Sequence, residues 1–215
     1  MEILFAEPTV ADELPSHAVT GVSPAIFSAI HDPATNIVIW QRSRPAGLES
    51  LKLDQICDIR FTSPIATLPD TVEREIAKAG FRSRLAPHSL ATDILTLANH
   101  FSAVMNISMV EIRLEHITTN ACHKYHADWV TARLITTYFG QGTQWLSQND
   151  ALRHAEGAPL DALHHHSIKT GEVALFKGRL WSNDAPAIHR SPPIEGTGEE
   201  RLMLVINPGR QSPEE

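Results

Sequence analysis

From Met109 to Ile117 the chain reads MVEIRLEHI, with Val110, Ile112 and Leu114 alternating against Glu111, Arg113 and Glu115. Period-two patterning predicts a strand with one apolar and one polar face. VTARLITTYF (130–139), GTQWL (142–146), EVALFKG (172–178) and RLMLVIN (201–207) are also strand-like, each bounded by glycine or proline signals. NIVIW (36–40), set between Pro33 and Pro45, predicts a further short strand. Helical periodicity is confined to the first half. PAIFSAI (24–30) reads as a short helix with Pro24 in its first turn. Stretches from Gly47 to about Ile59 and from Asp70 to Ala79 also look helical, the second stopped by Gly80. The longest predicted helix runs from Ser89, read as its N-cap, to Met105. Ile94, Leu97, Ala98, Phe101, Val104 and Met105 recur on one face of it, with His100 beside the stripe.

No helix of comparable length interrupts the strands after Met105, which argues against βαβ crossovers and a parallel sheet. The expected fold class is α+β: a mostly antiparallel double-stranded β-helix, a jelly-roll or cupin-like barrel, with the N-terminal helices packed outside. Its 215 residues suffice for one domain with a real core. That domain divides into an arm (1–20), a helical part (21–105), a β-barrel core carrying the site (106–208) and a mobile tail (209–215).

Composition narrows the function. A net charge of −7, without a local Lys/Arg cluster, gives no footprint for nucleic acid. The opening MEILFAEPTVADELP carries acids where a signal peptide needs bases, and no apolar run is long enough to span a bilayer, so a cytoplasmic protein without a membrane partner is expected. Two cysteines, Cys57 and Cys122, cannot build a disulfide framework. The unusual count is twelve histidines against two tyrosines. Abundance is weak evidence for metal binding, and position has to decide.

CHKYHADWVTARL, beginning at Cys122, places His126 and Asp128 two residues apart. In an extended strand both side chains point to one face. His189, in PAIHRSPP just before the last predicted strand, is the natural third member. Two histidines and one carboxylate on one side of an ion leave other positions open, which is the facial triad of non-haem iron oxygenases. Cys122 has two readings. As a fourth ligand it closes the site and favours zinc; otherwise it is a small packing residue. His164, His165 and His166 form an internal triple in a polar connection, read as a solvated loop or an accessory metal-binding loop. Three adjacent residues of a strand cannot all face one ion.

In their order His126, Asp128, His189 and Arg201, these residues resemble the Fe(II)/2-oxoglutarate-dependent oxygenases. The resemblance implies iron at the triad and 2-oxoglutarate as co-substrate, its far carboxylate gripped by Arg201. Met203 departs from that pattern, which often has Ser or Thr two residues after the arginine. Lys177, of the same parity as Val173 and Leu175, and Tyr138, of the same parity as Leu134, are further expected co-substrate contacts. Arg133 has the opposite parity and is expected to face away. VIWQRSRP, CHKYHADWVTARLITTYFGQGTQWL, GEVALFKGRLWSNDAPAIHRSPP and ERLMLVINP together resemble a bacterial family catalogued as domain of unknown function 1826. That family lends a shared fold and site but no reaction. Its members sit beside zinc-homeostasis genes, which implies the second reading: a zinc-binding metal-homeostasis protein without oxygenase activity. The first reading expects a small-molecule or other unidentified substrate.

Overall fold

The computed structural model describes residues 14–49, 51–80, 85–181 and 184–209. Most of the expected arm and nearly all of the expected tail therefore lie outside the described residues. The strands are β1 (Ala18–Gly21), β2 (Ile37–Trp40), β3 (Ile59–Pro64), β4 (Met109–Ile117), β5 (Ala132–Phe139), β6 (Gln144–Leu146), β7 (His165–Ser167), β8 (Val173–Lys177), β9 (His189–Arg190) and β10 (Arg201–Pro208). Three α-helices, α1 (Leu68–Lys78), α2 (Leu85–Met105) and α3 (Gln148–Ala155), accompany them, with a 3-10 helix at Pro24–His31. Seven strands form one sheet in the order β1-β2-β8-β5-β10-β4-β3, and β7-β6-β9 form a second. Among these pairings only β1 with β2 is parallel. The chain is thus a mixed α+β protein built on a large, mainly antiparallel sheet.

Strand alternation sorts the large sheet's side chains onto two faces. Val38, Leu134, Leu175, Leu202, Leu204 and Ile206 join the helices in one cluster. α2 contributes Leu90, Ile94, Leu97, Ala98 and Phe101 at helical spacing, and α1 adds Leu68, Val72 and Ile76. α1 carries Asp70 in its first turn and Lys78 in its last, complementing its dipole. It ends at Gly80, whose φ of 85° suits the left-handed position after a helix. On the other face Ile37, Ile39, Ile135, Phe176, Met203 and Val205 pack with Trp145 of the small sheet.

Several local expectations need correction. α2 begins at Leu85, so Ser89 is not its N-cap but lies inside it, with Pro87 tolerated in the first turn. Among the described residues from Gly47 to Ile59 the helical structure is a short 3-10 turn at Leu53–Gln55, before β3 starts. Ala18–Gly21, at the end of the stretch read as an arm and the start of the helical part, is a strand. Two of the three adjacent histidines are not in a loop: His165 and His166 lie in β7, which pairs with β6, and His166 stacks on Trp145 with ring centroids 4.4 Å apart. Among the described residues no helix is long and apolar enough to cross a membrane.

Candidate metal centre

His126 and His189 meet through backbone. Each donates its N–H to the other's carbonyl at 3.0 Å, an antiparallel bridge that fuses the segment before β5 to β9. The same two segments are tied by the Ser191 N–H to the Cys122 carbonyl, at 2.9 Å, and by Asn120, whose Oδ1 accepts from the Ile194 and Glu195 N–H groups. Asp128 is anchored from a third direction: the Arg179 N–H donates to its carbonyl at 2.9 Å, just after Gly178 donates to Thr131. Three separate stretches of chain therefore fix the three side chains.

The donor atoms converge. One ligand atom from each of His126, Asp128 and His189 lies within 4.8 Å of the others. His126 Nδ1 donates to the Lys124 carbonyl at 2.8 Å and His189 Nδ1 to the Ala187 carbonyl at 3.2 Å. A carbonyl can only accept, so both rings carry their proton on Nδ1 and offer the Nε2 lone pair inward, the outer-partner arrangement typical of metal-binding histidines. His189 is buried and its ring stacks on Phe176, centroids 4.8 Å apart. The Asp128 carboxylate is also buried. Its Oδ1 accepts from Arg133 Nη1 at 2.6 Å, while Oδ2 has no hydrogen-bond donor among the described residues and lies 3.2 Å from His189 Nε2.

Electrostatics agree with a cation at this point. Burial pulls the His126 imidazole below its ordinary value, with His189 and Arg133 adding to the effect, so the ring is neutral and metal-competent at neutral pH. Burial raises the Asp128 carboxyl. The neighbouring His189, then Arg133 and His126, outweigh that and hold it below the usual range. An anionic oxygen and two imidazole nitrogens thus face one point. The orphaned Oδ2 is the group that a divalent ion would satisfy.

A cavity of about 310 Å³ opens beside the triad, lined by His126, His189, Arg133, Cys122 and Met203 among others. Cys122 is exposed on its wall with φ 55°, outside the converging group. Arg201 shares the site face of β10 with Met203 and Val205 but does not itself line the cavity. It is fully buried beside Met203: Nε donates to the Gln141 carbonyl at 2.6 Å, Nη2 lies 3.7 Å from Met203 Sδ, and Nη1 has no partner among the described residues. Burial lowers its pKa to about 10, which still leaves the guanidinium charged at neutral pH.

Two expected co-substrate contacts point elsewhere. Tyr138 lies on the helical face, buried, and its hydroxyl donates to Asp93 of α2 at 2.7 Å. Lys177 donates to the Asp32 carbonyl at 2.7 Å and sits over the Trp181 ring. Its strand neighbours Val173 and Leu175 belong to the helical cluster, whereas Phe176 faces the site. Both residues have the parity assigned to them, but the face they share is the one turned to the helices. Arg133 is the reverse correction. Parity counted from His126 turned it away, yet β5 begins only at Ala132 and the bend before it resets the count. Arg113, which the alternation only placed on the polar face of β4, borders the cavity as well.

The family model described as a protein of unknown function, DUF1826, matches residues 21–207. No curated protein matches the chain. Similar solved structures include the dioxygenase for auxin oxidation 1 from Arabidopsis thaliana in complex with 2-oxoglutarate. It is 11% identical, with 92% of this chain and 93% of that chain covered and a TM-score of 0.49. A prolyl-4-hydroxylase from Pseudomonas putida is 13% identical, covering 94% of this chain and 100% of that one at a TM-score of 0.40. A full-length Neurospora crassa protein, in complex with alpha-KG, is 11% identical, covering 97% of this chain and 89% of that one at a TM-score of 0.43. Likenesses this distant carry no function across.

Proposed function

For this chain, which belongs to the DUF1826 family of proteins of unknown function, we propose a mononuclear non-haem Fe(II)/2-oxoglutarate-dependent oxygenase on a double-stranded β-helix. The observation that carries the reading is the convergence of the His126, Asp128 and His189 donor atoms within 4.8 Å at the edge of a cavity. Two imidazoles and a carboxylate are the donor set suited to Fe(II) with open positions. When bound there, Fe(II) with 2-oxoglutarate supplies oxygen activation and the oxidation of an unactivated C–H bond.

The chain's own residues do the rest. The Lys124 and Ala187 carbonyls keep both imidazoles in the tautomer that presents Nε2. Ile135, Met203 and Val205 line the cavity on its apolar side and limit water. Arg201 is assigned to the far carboxylate of 2-oxoglutarate, with Nη1, which has no partner among the described residues, as the donor left for it. Reaching it requires Met203 to swing aside, which an unbranched side chain does readily. The substrate is expected to be a small molecule, and the compartment the cytoplasm.

The competing reading is a zinc-homeostasis protein, and the observation in its favour is Cys122 on the wall of the same cavity. Metal-stripped protein mixed anaerobically with Fe(II) and 2-oxoglutarate separates the two. The oxygenase gives a weak visible charge-transfer band, and succinate once air is admitted. Neither signal, together with tight zinc retention that is lost in Cys122→Ser, contradicts the oxygenase and supports zinc.

A further inference from the structure

The two oxygens of Asp128 are treated differently by the protein. Oδ1 accepts from Arg133 Nη1 at 2.6 Å; Oδ2 accepts from no donor among the described residues. Arg133 is in turn held by a row of polar side chains running across the sheet. Its Nε donates to Asn207 Oδ1 at 2.8 Å on β10, and Asn207 Nδ2 donates to Glu111 Oε2 at 2.8 Å on β4. Glu111 Oε1 then accepts from Arg60 on β3, from Nε at 2.9 Å and from Nη2 at 2.7 Å. β5, β10, β4 and β3 are consecutive neighbours in the sheet, so one rung of side chains links an exposed edge to the triad. Side-chain exposure is 67% at Arg60 and 22% at Glu111, while Asn207, Arg133 and Asp128 lie inside the protein, the last two at 17% and 9%.

A buried carboxylate beside a cation has two ways to bind it, through one oxygen or through both. A guanidinium fixed by Asn207 and bonded to Oδ1 disfavours the second option, because it ties up one lone pair of that oxygen and draws on its charge. We propose that Arg133 is a positioning residue. It holds Asp128 so that a single carboxylate oxygen is presented to the metal, which keeps a coordination position for co-substrate. This inference rests on the triad binding a metal, as read above. The same contact offsets the aspartate's negative charge. A divalent ion in this site keeps its full charge excess and favours a dianionic co-ligand such as 2-oxoglutarate over a neutral one. Lysine is no substitute, because a single ammonium cannot keep the planar fork that spans Asn207 and Asp128.

The test uses the full-length protein loaded with Co(II), whose visible spectrum reports coordination number. Arg133→Gln and Arg133→Lys are each compared with wild type for Co(II) affinity, spectrum and 2-oxoglutarate binding, with thermal melting as a check on folding. The expected result is a loss of metal affinity within the roughly 10–100-fold that removing an outer partner costs. A changed Co(II) spectrum and weaker 2-oxoglutarate binding should accompany it. Should Arg133→Gln fail to fold, Asn207→Ser, which cuts the rung one step farther from the metal, is expected to change the spectrum in the same direction. Folded Arg133 variants with wild-type affinity and spectrum overturn the inference and leave the metal centre standing. Wild-type protein that binds no Co(II) overturns both.

Discussion

A nitrogen lone pair held 3.2 Å from a carboxylate oxygen is repulsive unless something positive lies between the two. His189 and Asp128 stand in that relation, and His126 Nε2 lies 3.7 Å from the other oxygen. A bound cation removes this cost, so the triad's separate residues should act as one unit. Replacing His126, Asp128 or His189 by alanine is expected to weaken Fe(II) or Co(II) binding by more than the roughly 100-fold ceiling for an outer partner, measured by calorimetric titration. Arg201 should behave differently. Arg201→Ala is expected to weaken 2-oxoglutarate binding while metal affinity stays near that of wild type, since it touches Gln141, Thr137 and Met203 and none of the triad. Equal loss of both would assign Arg201 to structure instead.

Short elements between strands hold the site in register. Gly178 is the clearest case: a Cβ there would lie 2.0 Å from the Val130 carbonyl oxygen and 3.0 Å from that of Asp128. Gly178→Ala must push back the bend that carries Asp128. It is expected to weaken metal binding by about 10-fold or more, the scale of a disturbed outer contact, and to lower the melting temperature. A second prediction concerns His17, beside β1, buried edge-on against Trp145 with ring centroids 5.7 Å apart. Burial foremost, then the neighbouring His166, depresses its pKa below 6.5. The unfolded chain therefore takes up a proton first as pH falls, and stability is lost from about 6.5 down to the folded-state pKa. The melting temperature should drop over that interval, and drop less in His17→Phe.

The sequence was most legible where one face alternates cleanly. β2, β4, β5, β6, β8 and β10 lie within or close to the patterned runs, because a half-buried strand writes its period into the chain. β7 and β9 are three and two residues long and made of histidine, serine and arginine, so they carry no such period. Position along the chain brought His126, Asp128 and His189 forward as candidates. What it did not contain was which face of the sheet the helices cover. That choice is made by packing over long sequence distances, and it decides that Tyr138 and Lys177 meet helix-side partners while Arg133 and Arg113 border the cavity.

At the scale of the whole molecule, a large sheet is covered on one face by α1 and α2 and on the other by a three-stranded sheet too small to fill it. The uncovered portion, beyond Ile135, Met203 and Val205, becomes the cavity, and the triad sits where the two sheets are bridged by His126 and His189. The proposed function seats metal and 2-oxoglutarate at that bridge and so predicts that they stabilise the fold together. Thermal melting with each alone and with both should show the larger rise for the pair. The central claim is that one first-row metal ion is held by these three side chains. Anomalous diffraction from Fe(II)-loaded crystals tests it most directly. The account predicts a single peak with His126 Nε2, His189 Nε2 and an Asp128 carboxylate oxygen each about 2.0–2.2 Å away, and the Cys122 thiol outside the coordination sphere. No peak between them, or an ion bound through Cys122, would contradict it.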